Sequence, residues 1–287
     1  MIAILKHELK IYFQSLTAYV FGSFLLVFVG IGAMLYNLQA AVSNFEFVLG
    51  FSSPVFVVIV PILTMRVIAE ERKQKTDQLL YSLPVSAAQI ILGKYLALLL
   101  VYLIPVCVIA VYPIIFSQYG DVYLLTSYGS LTAFFIMGAA LIASGIFISS
   151  LTENQGFAAG IGIAAILLNY FSVSLAEYVS ATAFGSFAAL FLIAALLGWI
   201  IHHLTQNDAL AYGVSLVLMA AAAAVYLIDE TKLEGLLPDI MKKLSLFDRL
   251  DTFVNGVFDV TAVIYFISVI VFFLFLSVQS LEKRRYN

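Results

Sequence analysis

The sequence predicts an all-α, polytopic transmembrane bundle. Three observations carry that prediction. Of 287 residues, 63% are hydrophobic and only 11% charged, against roughly 25% charged residues in a soluble domain. The apolar residues fall in blocks of about 20, which at 1.5 Å per residue span a hydrocarbon core of about 30 Å. The basic residues are divided unevenly among the turns between those blocks.

Residues 1–15 mix Ile2, Ile4, Leu5, Leu9, Tyr12 and Phe13 with Lys6, Glu8 and Lys10, the pattern of an amphipathic helix lying in the membrane interface. The apolar run that follows, 16–38, is too long for the h-region of a signal peptide and has no small-x-small cleavage site, so it reads as a retained span. Further spans are expected at 48–69, 90–116, 128–151, 157–178, 184–203, 209–228 and 260–281, about eight in all. The chain is thus expected to be one transmembrane domain over 1–287, multi-pass in a cell membrane, the bacterial cytoplasmic membrane being the expected location.

Lysine and arginine orient the bundle. With the N-terminus inside, Lys6, Lys10, Arg66, Arg72, Lys73, Lys75, Lys94, Lys283, Arg284 and Arg285 lie inside, and Lys232, Lys242, Lys243 and Arg249 outside. Ten against four predicts both termini inside. A net charge of −3, with no basic tail, gives no sign of a nucleic-acid partner. The single cysteine, Cys107, excludes an intrachain disulfide and reads as a packed small residue.

Two turns resemble each other, Leu151–Gly160 and Leu204–Gly213. In each a threonine, Thr152 or Thr205, is placed to N-cap the next helix, with Gln155 or Asp208 three residues on. The pair reads either as ordinary polar hairpins or as a duplicated helical hairpin. Residues 229–259 form the largest extracytoplasmic segment and alternate leucines with acids and lysines, which predicts short amphipathic helices.

The loop at 66–94 is the longest inside loop and the most charged. Thr76, Leu79, Leu80 and Leu83 recur at i, i+3, i+4 and i+7, one helical face. Glu71 and Lys75 stand in the favourable i, i+4 order. Pro84 ends the segment, and Ser86 with Gln89 forms a capping box for the next helix. The apolar stripe faces either a partner protein or the membrane surface.

These residues also resemble a family. Glu70-Glu71-Arg72, Thr76-Asp77-Gln78-Leu79-Leu80, Leu83-Pro84-Val85-Ser86 and Gly93-Lys94-Tyr95-Leu96 are similar to the signature of type-2 ABC exporter permeases. The pattern there is acid-acid-basic, Thr-acid-x-Leu-Leu, Leu-Pro-Val-Ser, Gly-Lys. Ser245-Leu246-Phe247, Asn255–Asp259 and the Phe-rich last span ending Ser280–Arg285 resemble the gliding-motility-type branch. The family often has Gly where Lys75 stands, and its common core has six spans.

The resemblance implies a non-catalytic permease subunit of an ATP-driven exporter. It would form the path as a homodimer or a heterodimer with a related permease, in contact with membrane lipid. A separate ABC ATPase would bind below, carrying the ATP and Mg, with no cofactor in this chain. Residues 66–94 would be the coupling loop, with Glu70, Glu71, Arg72, Thr76, Asp77 and Leu80 at the contact. The helix at 1–15 would be the connecting helix, and 229–259 a place for an auxiliary extracytoplasmic protein. An ABC-linked surface or motility machinery without a solute is an alternative.

Other constellations are weaker. Gly93-Lys94 is followed by Tyr95, and Ala88 stands where the first P-loop glycine belongs, so the chain has no P-loop. His7-Glu8 lacks the second histidine of a zinc motif, and His202 and His203 are adjacent, about 100° apart on a helix. No catalytic set or metal site is written. Asn169, in a helix that opens with Gly156-x-x-x-Gly160, serves either helix packing or the path. Pro54, Pro61, Pro105 and Pro113 are expected to kink the second and third spans. No span has an ionisable residue at its middle, which argues against an ion-coupled secondary transporter, the main rival.

Overall fold

The structure, a computed structural model, describes residues 1–76, 85–205 and 208–286. The described residues are helices and turns, without a strand. They divide into two compact units, residues 1–170 with 249–287, and residues 171–248.

The first unit opens with α1 (Ile2–Gln14), which stops at an extended Ser15 and turns into α2 (Leu16–Ala33). Six π-helical residues, Met34–Gln39, close this first span. The second span is segmented. It runs through α3 (Glu46–Ser52), a 3-10 turn at Ser53–Val55 containing Pro54, and α4 (Phe56–Thr64) with Pro61 inside. After a turn at 65–68 it ends in α5 (Ala69–Gln74). The third comprises α6 (Ala87–Ile109), with Pro105 inside, and α7 (Tyr112–Phe116), whose Pro113 lies in the first turn. Then follow α8 (Leu124–Leu151) and α9 (Gln155–Tyr178), whose last residues, from Phe171, belong to the second unit. Pro54 and Pro113 therefore sit where the two spans are interrupted, whereas Pro61 and Pro105 lie inside α4 and α6.

Among the described residues six helical stretches are long and apolar enough to cross a membrane: 16–39, 46–74, 87–116, 124–151, 155–178 and 260–284. Two shorter apolar stretches, Ala183–Ala195 and Tyr212–Ile228, fall where the sixth and seventh of the eight expected spans lie. The second and fourth spans are 67% and 72% buried, and the fifth and last only 17% and 22%. The second and fourth are therefore the inner pair of the first unit.

Lipid gives helices no hydrophobic reason to associate, so close contact must do it. On α8, Gly138 and Gly145 lie seven residues apart and face α6 and α4. A Cβ on Gly138 would fall 2.5 Å from the Tyr102 hydroxyl, and one on Gly145 would fall 2.3 Å from Thr64 Oγ1. Tyr102 is fully buried and donates to Phe134 O at 2.9 Å. Its ring meets Phe21 and Phe56 edge-on and stacks on Phe135, geometries that aromatic quadrupoles favour. Glu46, 1% exposed, accepts from Ser127 Oγ at 3.0 Å and joins the start of α3 to that of α8.

In the second unit α10 (Ala183–Thr205) and α11 (Asp208–Ile228) pack side by side, with Phe187 stacked on Tyr226 at 5.0 Å. Gly235, at φ +70°, donates to Ala181 O and opens α12 (Leu236–Leu244). Next come α13 (Leu246–Val254), which runs from the second unit into the first, and α14 (Val260–Tyr286) in the first. The helices α12 and α13 are strongly amphipathic, as the 229–259 pattern predicts.

Two local expectations are corrected. The cap of α9 is Asn154, whose Oδ1 accepts from Gly156 N and Phe157 N. Thr152 accepts only from Asn154 N, one step earlier. Asn154 directly precedes Gln155, so its Oδ1 reaches the helix's first free N–H groups, which Thr152, two residues further back, does not. Cys107 is exposed on α6, not packed.

Candidate functional site

The charged loop begins on the second span and is held to the first unit by a set of buried polar bonds. Helix α5 is short, Ala69–Gln74, with Glu70 and Glu71 in its first turn and Arg72 and Lys73 in its last, which suits the helix dipole at both ends. It ends at Lys75, whose φ of +56° is left-handed. Glycine is the usual residue there, which accounts physically for the glycine that the resembled signature often carries at this position. The third span restarts with Ser86, whose Oγ accepts from Gln89 N at 3.3 Å, as the capping pattern predicts.

Lys94 is the centre of the site. It lies on α6, 2% exposed, and its ammonium donates all three of its protons. They go to Glu8 Oε1 at 2.6 Å, Glu71 Oε1 at 2.7 Å and Val67 O at 3.0 Å. Glu8 is itself 5% exposed. One lysine thus joins α1, the turn at 65–68, α5 and α6. The helix α1 reaches it because Gly93 has no side chain: a Cβ there would stand 3.1 Å from Ile4 Cγ2 and 3.3 Å from Met1 O.

Around this hub the ends of the second span are also tied. Arg66 forms two bonds with Glu70, at 2.7 and 3.2 Å, and reaches Thr17 Oγ1 at 3.4 Å. Gln74 Nε2 donates to Glu70 Oε1. Tyr12, buried on α1, donates to Leu63 O at 3.2 Å. Burial pushes its hydroxyl well above the ordinary phenol range, with the charge on Glu8 adding to the rise, so it stays a donor. Ser149 of α8 accepts from Ile68 N and Ala69 N and donates to Met65 O, each at 3.2 Å. Beside these residues opens a cavity of about 750 Å³, lined by both apolar and charged groups, among them Ile4, His7, Ile11, Arg66, Glu70 and Glu71.

The residues singled out from the sequence separate into groups. Glu70 and Glu71 are engaged within the chain, and Arg72 is buried, 5% exposed. The carboxylate of Glu71 is bound by Lys94, 23 residues on. Thr76 is half-exposed, its hydroxyl donating to Glu71 O. Asp77 and Leu80 lie outside the described residues, as do Leu79, Leu83 and Pro84. Asn169 is half-buried on α9. Gly156 gives its N–H to the Asn154 cap, and a Cβ on Gly160 would meet nothing within 4 Å. The glycine of α9 that packs on the described chain is Gly162, 3.1 Å from Pro61 by the same measure. His202 pairs with Asp208 at 2.8 Å, and no group of three metal-ligating side chains occurs among the described residues.

Glu8, Tyr12, Lys94 and Ser149 were not among the expected site residues. Lys94 had a legible signal. A lysine inside an apolar helix needs a buried counter-charge, and Glu8 is the acid of an N-terminal helix that otherwise reads as interfacial. Ser149 had none, since a serine among Gly145–Leu151 is unremarkable in composition.

At the same end of α8 the last span is secured. Ser280 Oγ donates to Ser150 O at 3.1 Å, and Arg284 pairs with Glu153. That bond to Arg284 holds the Glu153 carboxyl below its ordinary range. These bonds bring α1, the α5 segment, the turn at 152–154 and the C-terminal helix to one end of the first unit.

A family model described as ABC-2 family transporter protein matches residues 35–228, more than half of the chain. No curated protein and no solved structure matches it.

Proposed function

The chain belongs to the ABC-2 transporter family, and from that premise we propose that it is the permease subunit of an ATP-driven exporter that couples to a separate ATPase through residues 66–94. It is a multi-pass membrane component of an ABC transporter, and such a component works with an ABC ATPase. The observation that supports this loop as the coupling element is the buried Lys94 hub. A force on α5 cannot stay local, because Glu71, Val67 and Glu8 share one ammonium.

In this reading Glu70, Glu71 and Arg72 hold the loop on the permease. The docking contact falls to Thr76, Asp77 and Leu80. ATP and Mg belong to the partner subunit. Switching a two-state path from 1:99 to 99:1 takes about 5.5 kcal/mol, which closure of a nucleotide-binding dimer supplies. Two copies, or this chain and a related permease, would meet through apolar surface such as the sparsely buried fifth span. Both termini would be cytoplasmic, as the lysine and arginine distribution indicates.

Co-expression with its ABC ATPase tests the reading. The two are expected to purify as a complex, and Asp77→Ala with Leu80→Ala is expected to abolish assembly without changing the thermal stability of the permease. A stable double variant that still assembles and supports permease-dependent ATP hydrolysis would remove these residues from the contact.

A further inference from the structure

The second span is broken at 65–68, and the break exposes backbone groups that a continuous helix would have paired. Away from water such groups need other partners. Five of them are met by side chains from three other helices. Tyr12 of α1 answers Leu63 O, Lys94 of α6 answers Val67 O, and Ser149 of α8 answers Met65 O, Ile68 N and Ala69 N. Tyr12 and Lys94 have long side chains that can follow a moving backbone. Ser149 has one carbon and one hydroxyl.

A hydroxyl has one proton to give and two lone pairs to offer, and Ser149 commits all three to the turn. It is fully buried and sits on the most buried span. Three bonds from one atom to residues 65, 68 and 69 fix the direction in which α5 leaves α4. A swing of α5 must lengthen at least one of them, and no rotation of Ser149 restores all three. The next residue provides the contrast. Ser150 is equally buried, but its hydroxyl donates only to Phe147 O of its own helix.

We propose that Ser149 is a positioning residue for coupling: it sets the angle of the loop against α4 and passes a change of that angle to α8, without itself touching the ATPase. This rests on the coupling reading above. The break is then a hinge with a defined rest position, and the inner pair of spans, the second and fourth, is the pair through which loop movement enters the membrane.

The test uses the assembled permease and ATPase in lipid nanodiscs. Spin labels are placed at Lys73→Cys and Leu151→Cys in a Cys107→Ser background, Cys107 being exposed. The parent is expected to give one narrow label distance that shifts when ATP and vanadate are added. Ser149→Ala is expected to broaden the distance and abolish the shift, and Ser150→Ala to behave as the parent. In the permease alone, amide exchange at Ile68 and Ala69 is expected to rise about tenfold in Ser149→Ala. Unchanged exchange overturns the clamp. Raised exchange with the nucleotide shift retained overturns the positioning role and leaves a structural bond. A parent without any shift overturns the coupling reading, and the positioning role with it, while exchange still decides the clamp.

Discussion

A lysine eight residues into an apolar helix has to be answered by charge, and at the residue scale Lys94 is where the cost of an error is greatest. Removing one partner of a buried ion pair typically costs about 3–5 kcal/mol, because the other charge is left uncompensated. Lys94→Met strands two carboxylates, Glu8 at 7% and Glu71 at 25% side-chain exposure. Thermal unfolding in detergent is expected to show a loss of that size for Lys94→Met and a smaller one for Glu71→Gln. A Lys94→Met variant as stable as the parent would show that the hub carries no such weight. Lys75 has the opposite character. Its left-handed φ of +56° costs a non-glycine residue about 1 kcal/mol. Lys75→Gly should therefore raise the unfolding midpoint and Lys75→Val lower it.

Glu153 gives a pH-dependent tie at the same scale. Its carboxyl is held below its ordinary range by Arg284, so the contribution is present above the ordinary carboxylate pKa and is lost as pH falls through the lower folded one. The pair is exposed and screened by salt. The mobility of a spin label placed at Glu282→Cys is expected to rise on acidification through that window, or in high salt, in the parent. Glu153→Gln should be insensitive to both.

At the scale of elements, small residues decide which helices touch. Gly145 leaves no room for a methyl group against Thr64, whereas Gly160 faces open space within the chain. Overpacking of this kind costs about 1–3 kcal/mol. Gly145→Ala should lower the thermal midpoint, and Gly160→Ala should leave the isolated subunit unchanged. Equal effects would mean that α4 and α8 are not in close contact. The hydropathy of α8 and α9 is similar in the sequence, yet α8 is the inner span and α9 presents most of its surface outward. Local composition does not separate them, because both blocks satisfy the same membrane requirement and differ only in what stands opposite. The caps were legible where the cap and its helix adjoin, as at Ser86. At Asn154 the pattern named a neighbour two residues away, since Thr152, Asn154 and Gln155 all suit a helix start.

For the whole molecule the prediction is topological. Reporter fusions are expected to place both termini in the cytoplasm and residues 229–259 outside. A cytoplasmic 229–259 would reverse the orientation drawn from lysine and arginine. Within the first unit, polar bonds bring α1 and α14 to one end.

The sequence alone determined that this is a helical membrane protein, where most of its spans run, and which loop bears the family signature. Each of those properties is local. A block of about 20 apolar residues meets the bilayer's requirement whatever packs beside it, and a signature is read along the chain. Only the tertiary structure decided what the charged loop is attached to. Lys94 meets Glu8 across 86 residues and Glu71 across 23, and Ser149 meets Ile68 across 81. Polar groups away from water must find partners, but the requirement does not say which ones. That choice is made by the packing, through Gly93, Gly138 and Gly145, which let α1, α4 and α6 come close enough for one lysine and one serine to reach.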